Sequence, residues 1–200
     1  DIVHAHYITS YGYLGARCGH HPLVMTAWGS DLLVTPREST ALRWLTGWTL
    51  RRADLITGDS LDLVAAAQSY GPRARTLRIH WGVDLARFSP APWQAKPGFG
   101  IASLRSWEPN YNIGTLVDAF AQLVQAQPSA PLALHLLGGG SLETALRAQV
   151  AALGLGERVA FHGRVGDAAM QEALARCKVS VSVPTSDATS VAMLESMACA

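Results

Sequence analysis

What most constrains this chain is a repeated alternation of short apolar runs with longer stretches of helical period. Strands are predicted at Ile2–His6, Leu23–Ala27, Asp54–Gly58 and Thr76–His80, and again at Phe99–Leu104, Leu132–Gly138, Arg158–His162 and Val179–Pro184. Helices are predicted over 39–53, 61–70, 113–127, 142–153, 167–177 and 190–200. The run Leu132-Ala133-Leu134-His135-Leu136-Leu137 is apolar almost throughout, the pattern of a strand covered on both faces. Strands of this kind with helices between them imply a parallel α/β architecture, because parallel neighbours need a crossover and a helix is the usual one.

One segment interrupts the rhythm. Between Phe88 and Gly98 lie Pro90, Pro92 and Pro97, and proline, with a fixed φ and no N–H, favours an extended connector over an element. The alternation restarts directly afterwards. The expected organisation is a domain over residues 1–88, a linker over 89–98 and a second domain over 99–200. Neither half would complete a doubly wound sheet. The chain starts at Asp1 and ends inside a helical pattern without a cap. It is therefore expected to be an internal piece of a longer protein, with each domain only partly present.

Composition narrows the function classes. Hydrophobic residues make up 49% and charged residues 16%, against roughly 25% charged in an average soluble domain, so the chain has a buried core to form. Sixteen Lys and Arg against 15 Asp and Glu, a net charge of +1, leave no electrostatic footprint for nucleic acid. No apolar run reaches the roughly 18 residues of a transmembrane helix. Cys18, Cys177 and Cys199 are far apart and read as reduced, mostly buried thiols.

Chemistry-bearing residues gather at predicted strand ends. The stretch Pro184–Glu195 leaves a strand, passes a polar turn and enters a helix with Thr189 or Ser190 as N-cap. The free N–H groups of Thr189, Ser190 and Val191, with the positive end of the helix dipole, suit a phosphate. Glu195 sits about one and a half turns into an otherwise apolar helix and needs a partner there, either ligand hydroxyls or a structural salt bridge. Asp187, eight positions earlier, is too distant to act with it as a glycosidase carboxylate pair. Arg105 closes the strand 99–104, where a guanidinium binds phosphate in bidentate fashion or forms a surface ion pair. Gly138-Gly139-Gly140 permits a tight turn or close backbone approach to a ligand, without the spacing of the dinucleotide fingerprint. His4 and His6 are expected on opposite faces of the first strand, which argues against a shared metal. No Cys or carboxylate cluster has ligand spacing, so neither metal nor cofactor is expected. His6, at the strand's carboxyl end, is the better functional candidate of the two, with a satisfied core histidine as the alternative. Asp31 reads as a hydroxyl ligand or an N-cap, and Trp44 and Trp48 as packing.

These landmarks, taken in order, resemble the glycosyltransferase family 4 enzymes, retaining sugar transferases of the two-Rossmann GT-B fold. Asp1–His6 is similar to the family's D-[IV]-[VI]-H-[AS]-H strand, and Thr26–Asp31 to its T-x-H-G-x-D, with Trp28 in place of the usual His. Arg52-Ala53-Asp54 resembles R-A-D, and Gly82–Pro90 resembles G-V-D-x-x-x-F-x-P. Leu137–Gly140, Arg158–Gly163 and Pro184–Ala198 continue the likeness over essentially the whole chain. The family's two glutamates, seven residues apart, read here as Asp187 and Glu195.

The resemblance implies a sugar transfer from a nucleotide-diphospho-sugar to an acceptor hydroxyl with anomeric retention, in polysaccharide, lipopolysaccharide or glycolipid synthesis. It implies that Glu195 holds the ribose and that Asp187 meets donor-sugar hydroxyls. Arg105 would take the diphosphate, although the lysine expected five positions on is Asn110. His6 would lie near the transferred sugar, Gly139 near the nucleotide, and Arg164 and Val165 near the base. It also implies a metal-independent, cytoplasmic reaction, with a sugar or lipid-linked acceptor and, as a variant, peripheral attachment to the inner face of the membrane. The isolated 200-residue piece is expected to be inactive. A non-catalytic nucleotide-sugar-binding relative and a nucleotide-sugar 2-epimerase are the competing readings.

Overall fold

The apolar runs form parallel strands in two four-stranded sheets. The structure, a computed structural model, describes residues 1–199. The chain divides into two compact units, Asp1–Trp81 with Ser186–Thr189, and Gly82–Thr185 with the segment from Ser190 onward. The division falls after Trp81, ahead of the Pro-rich connector, and it has a packing cause. Phe88 is buried in a cluster with Ala102, Leu137 and Leu174, and Arg87 forms an ion pair with Asp167, so residues 82–88 go with the second unit.

In the first unit the chain runs β1 (Val3–His6), a wide π-helical turn (Ile8–Gly12), α1 (Tyr13–Cys18), β2 (Leu23–Thr26), α2 (Ser30–Leu33), α3 (Thr35–Glu38), α4 (Thr40–Leu50), β3 (Leu55–Gly58), α5 (Leu61–Gln68) and β4 (Arg75–Arg78). The strands lie in the order β1-β2-β3-β4, so each crossover steps one place the same way. Pairing sets His6 beside Thr26, Thr26 beside Thr57, and Gly58 beside Arg78, which brings the carboxyl ends level. Ala5, Ile8, Leu23, Met25, Leu50, Ile56 and Leu63 fill the core. Ser39 and Ser60 cap α4 and α5 by accepting the N–H of Leu42 and Leu63, each at 3.2 Å. The expected opposite orientation of His4 and His6 is overturned. Residues two apart share a strand face, and the two rings lie 4.2 Å apart.

In the second unit the chain runs β5 (Phe99–Ser103), α6 (Ile113–Ala126), β6 (Leu132–Leu137), α7 (Glu143–Ala152), β7 (Val159–Gly163), α8 (Asp167–Arg176), β8 (Cys177–Ser180) and α9 (Val191–Ala198). The strand order is β7-β6-β5-β8. The chain therefore builds outward from β5 and then returns to lay β8 on its other side. Open α/β sheets bind ligands outside the carboxyl ends at such a reversal, where neighbouring loops leave in opposite directions. One face packs Ile101, Leu134 and Leu136 against Ile113, Val117, Phe120 and Val150. The other packs Ala102 and Leu137 against Leu174, so both faces are covered as the apolar runs require. β8 starts two residues before its expected position because Gly100, lacking a side chain, lets Cys177 pair beside it. No helix among the described residues is long and apolar enough to cross a membrane.

Candidate active site

At the strand ends of the first unit, carboxylates hold loops. Asp31 opens α2 and is wholly buried. Its Oδ2 accepts the Ile8 N–H at 2.7 Å, and its Oδ1 accepts those of Trp28 and Gly29 at 3.0 and 2.9 Å. Burial pushes its pKa up, with these N–H bonds opposing the shift. Asp31 is thereby committed to backbone, which removes it as a ligand for hydroxyls. Between His6 and Ile8, Tyr7 has φ 72°, a left-handed conformation costing a residue with a side chain roughly 1–3 kcal/mol. Its N–H bond to the Thr26 carbonyl and the full burial of Ile8 hold it there.

Across the same strands runs a polar ladder. His4 Nε2 meets Thr26 Oγ1 at 2.7 Å, and Thr26 Oγ1 meets Thr57 Oγ1 at 2.7 Å. Burial, and then the neighbouring His6, lower the His4 pKa. The Trp28 indole N–H donates to His6 Nδ1 at 3.2 Å, and Trp28 also lies edge-on to Trp81 with centroids 5.4 Å apart. At the end of β3, Asp59 is buried and accepts the Thr189 N–H at 2.9 Å, while the Thr189 hydroxyl lies 3.4 Å from its carbonyl. Burial raises the Asp59 pKa against the help of these amides and the Trp81 indole, and the charge of Asp187 adds to the rise. Asp187 is exposed and accepts the Ala188 N–H at 3.0 Å. The Thr189 amide, expected to be free for a phosphate, is therefore taken by a carboxylate.

In the second unit the topological reversal places Arg105, just past β5, near the loop that leaves β8. Arg105 is buried; its guanidinium lies 4.3 Å over the Tyr111 ring and donates through Nη1 to Ser190 Oγ. Ser190 sits at the N-cap of α9 but makes no side-chain capping bond. Its hydroxyl serves the arginine instead. Val191 and Ala192, in the first turn, carry N–H groups for which a helix has no internal acceptor. The approach to α9 is tied down by Asn112, in a left-handed conformation, which donates to the Val183 carbonyl and Thr185 Oγ1 at 2.9 and 3.0 Å. Asn110, standing where a lysine was expected, accepts the Thr185 N–H through its carbonyl at 2.8 Å.

The glycine run divides by position, two of its members serving close packing between loops. A Cβ on Gly138 would lie 2.4 Å from the Arg105 carbonyl oxygen, and one on Gly140 would lie 2.5 Å from that of Trp107. These two glycines let the loop after β6 press against the loop after β5. Glu108 locks the pair by accepting the Ser141 N–H and hydroxyl, which, with the charge of Arg164, lower its pKa. Gly139 instead meets only the Arg164 side chain, at 3.3 Å, so the sites predicted at 139 and 164 are brought together. Val165 packs its side chain on the Phe88 cluster. Glu195 lies half-buried one turn into α9; burial raises its pKa, and Arg87 opposes this.

The reading from sequence missed Asp59, Glu108, Tyr111 and the buried Lys96, whose Nζ donates to the Cys177 and Cys199 carbonyls at 2.9 and 3.3 Å. For Asp59 a signal existed, since a carboxylate just past a strand and before an N-cap serine occupies the same kind of strand end as Arg105. No group of three or more His, Cys, Asp or Glu among the described residues is arranged to hold a metal ion.

Residues 99–200 match the family model for glycosyl transferases group 1, and residues 1–60 match one for glycosyl transferase 4-like proteins. The chain belongs to the glycosyl transferases group 1 family. A search of curated proteins finds no match to this glycosyl transferase chain. Among solved structures it is similar to Anabaena HepE in complex with UDP-glucose, with TM-score 0.79 and 24% identity over 100% of this chain and 57% of that one. It is likewise similar to sucrose-phosphate synthase from Thermosynechococcus elongatus, with TM-score 0.79 and 19% identity over 99% and 54% of the two chains. The pneumococcal O-GlcNAc transferase GtfA, in complex with UDP and GlcNAc, gives TM-score 0.75 and 13% identity over 99% and 40%. At these identities the likeness shows the GT-B fold. The group 1 chain described here spans little more than half the length of HepE.

Proposed function

We propose that the protein carrying this chain is a retaining glycosyltransferase that moves a hexosyl group from a nucleotide-diphospho-sugar to an acceptor hydroxyl. The observation that carries the proposal is Arg105 at the strand-order reversal, held by Tyr111 and Ser190 beside the start of α9. A departing diphosphate needs positive charge and N–H donors in place before the bond breaks, so that no reorganisation is required in the transition state. Arg105 supplies the charge, and the first-turn amides of α9 supply donors aligned with the helix dipole. Glu195 accepts from ribose hydroxyls, Gly139 and Arg164 border the nucleotide, and the backbone at Val165 approaches the base. Asp187 and His6 take hydroxyls of the transferred sugar. The acceptor is a sugar or lipid-linked sugar of a cell-envelope polysaccharide, used in the cytoplasm without a metal ion.

The test is to follow nucleotide-sugar consumption by the full-length protein with and without acceptor. Acceptor-dependent release of nucleoside diphosphate supports transfer. Isomerisation of the sugar would make the protein an epimerase, and nucleotide binding without turnover a non-catalytic relative. Glu195→Ala should abolish nucleotide binding in calorimetry, and an unchanged affinity would refute the ribose assignment.

A further inference from the structure

The contact between Trp28 and His6 is chemically one-way. An indole nitrogen is a donor only, with no lone pair to offer. The 3.2 Å bond from Trp28 Nε1 to His6 Nδ1 therefore needs the imidazole lone pair at Nδ1. The proton of the neutral ring must then sit on Nε2. Which nitrogen of a histidine carries the proton is ordinarily an open choice, and here the partner removes the choice.

The indole is itself held from several directions. Its backbone N–H is bound by the buried Asp31 carboxylate at 3.0 Å, and the next amide, that of Gly29, is bound by the same oxygen at 2.9 Å. Gly29 has φ 128°, in the region that favours glycine, so the loop turns sharply directly after Trp28. On the ring itself, Trp81 meets the indole edge-on at 5.4 Å, and the His6 ring meets it nearly perpendicular, at 83°. His6 is braced on its own strand by the His4 ring at 4.2 Å, and His4 is fixed in turn through Thr26 and Thr57. A buried carboxylate thus acts through a backbone amide and an indole on the proton position of one imidazole.

We propose that Trp28 is a positioning residue that fixes His6 as its Nε2–H tautomer, so that the ring offers a hydrogen-bond donor to an oxygen of the bound sugar. The service to sugar rests on the function proposed above; the tautomer itself does not. The related motif carries histidine at this position, which can donate or accept, whereas tryptophan can only donate. The substitution therefore restricts His6 to one tautomer.

The experiment uses the full-length protein with ¹⁵N-labelled histidine and long-range ¹H–¹⁵N correlation spectra at pH 7.5, which distinguish protonated from unprotonated ring nitrogens. The expected result is an unprotonated Nδ1 and a protonated Nε2 for His6. In Trp28→Phe the ring should become a mixture, the tautomer ratio moving by about fivefold, the scale of one neutral hydrogen bond. A protonated Nδ1 in the unsubstituted protein, or a tautomer ratio unchanged in Trp28→Phe, would overturn the proposal. The first measurement needs no variant, so misfolding of the second cannot leave the question open. Titration with UDP and GDP by calorimetry runs in parallel. Failure of both to bind would count against the nucleotide-sugar reading while the tautomer spectrum still decides the role of Trp28. On turnover, Trp28→Phe should lower kcat about fivefold with the donor KM unchanged, once kcat is divided by the folded fraction read from the UDP-binding stoichiometry; a kcat restored to the unsubstituted value by that normalisation would reduce Trp28 to a structural role.

Discussion

Both units end their strands level and carry charged residues just beyond them, yet the charges are spent differently. In the first, the carboxylates of Asp31 and Asp59 consume backbone N–H groups of Ile8, Trp28, Gly29 and Thr189. In the second, Arg105 is braced by a hydroxyl and an aromatic ring, and glycines rather than carboxylates bring the loops together. The strand orders differ in the same sense. The first sheet steps one way from β1 to β4, whereas the second reverses at β5 and β8. A carboxylate at a strand end is thus an anchor in one unit, and a cation at a strand end is the phosphate site we propose in the other. Position alone does not tell the two apart; the partners do.

The largest effect that would break this comparison is on Asp31. Replacing it by alanine strands three N–H donors, two of them, on Ile8 and Gly29, buried. Each unsatisfied buried group costs about 1–3 kcal/mol, so Asp31→Ala should destabilise the first unit by roughly 3–5 kcal/mol, read as a lowered denaturant midpoint by fluorescence. Nucleotide binding per folded molecule should be unaffected. Loss of binding with intact stability would make Asp31 a ligand residue after all.

Arg105→Ala should behave in the opposite way. Two charge-assisted hydrogen bonds to a diphosphate contribute about 1.5 kcal/mol each at the lower end, so UDP or GDP affinity should fall on the order of 100-fold in calorimetry. The fold should lose less than Asp31→Ala does, because Ser190 and Tyr111 can turn to other partners at the surface. An affinity within threefold of the unsubstituted protein would remove Arg105 from the site.

Inside the glycine run the same contrast can be drawn between neighbours. A methyl at Gly140 meets the Trp107 carbonyl oxygen at 2.5 Å and the Glu108 carboxylate at 2.7 Å, both part of the locked loop. Overpacking of this kind costs about 1–3 kcal/mol, and Gly140→Ala should show it as a lower melting temperature. Gly139→Ala meets only the flexible Arg164 side chain. It should leave stability nearly unchanged and alter nucleotide affinity instead. Equal effects of the two substitutions on stability would show the loop to be packed uniformly.

How far these features were legible in the sequence follows from where their causes lie. Strands such as β5 and β6 were readable because each carries its own reason, an apolar run covered on both faces, and the alternation with helices placed the more polar β4. The segment Ile8–Cys18 was not, since its two glycines and two tyrosines have no helical period. Its helix is held by close packing of Gly15, where a Cβ would lie 3.1 Å from Leu23 and 3.3 Å from Ala5. Arg105 and Glu195 could be singled out because a charge at a strand end or in an apolar helix is locally anomalous. Asp59 carries the same local anomaly, but its role as an anchor was not readable, because its partner Thr189 is 130 residues away. The free amide expected at Thr189 failed for the same reason. The shared face of His4 and His6, by contrast, follows from strand periodicity alone and was available from the start.

The smallest effect is one of pH, and it tests whether Glu195 belongs with the anchors or with the site. Burial raises its pKa above the ordinary 4.5, and Arg87 partly offsets this. A carboxylate with a raised folded pKa favours the folded state when protonated. Its contribution to stability is fully present below the unfolded value and is lost as pH rises through the folded one. Acceptance of ribose hydroxyls has the reverse dependence, because the ionised form is the better acceptor. As pH falls through the raised value, stability from this group should increase while nucleotide affinity decreases. Arg87→Gln removes the opposing charge and should move the acid limb of nucleotide binding to higher pH, with little change at pH 8. Calorimetric titrations of UDP or GDP from pH 8 to pH 4.5 would show it. An acid limb that does not move in Arg87→Gln, or affinity that rises on acidification, would place Glu195 among the structural carboxylates, with Asp31 and Asp59.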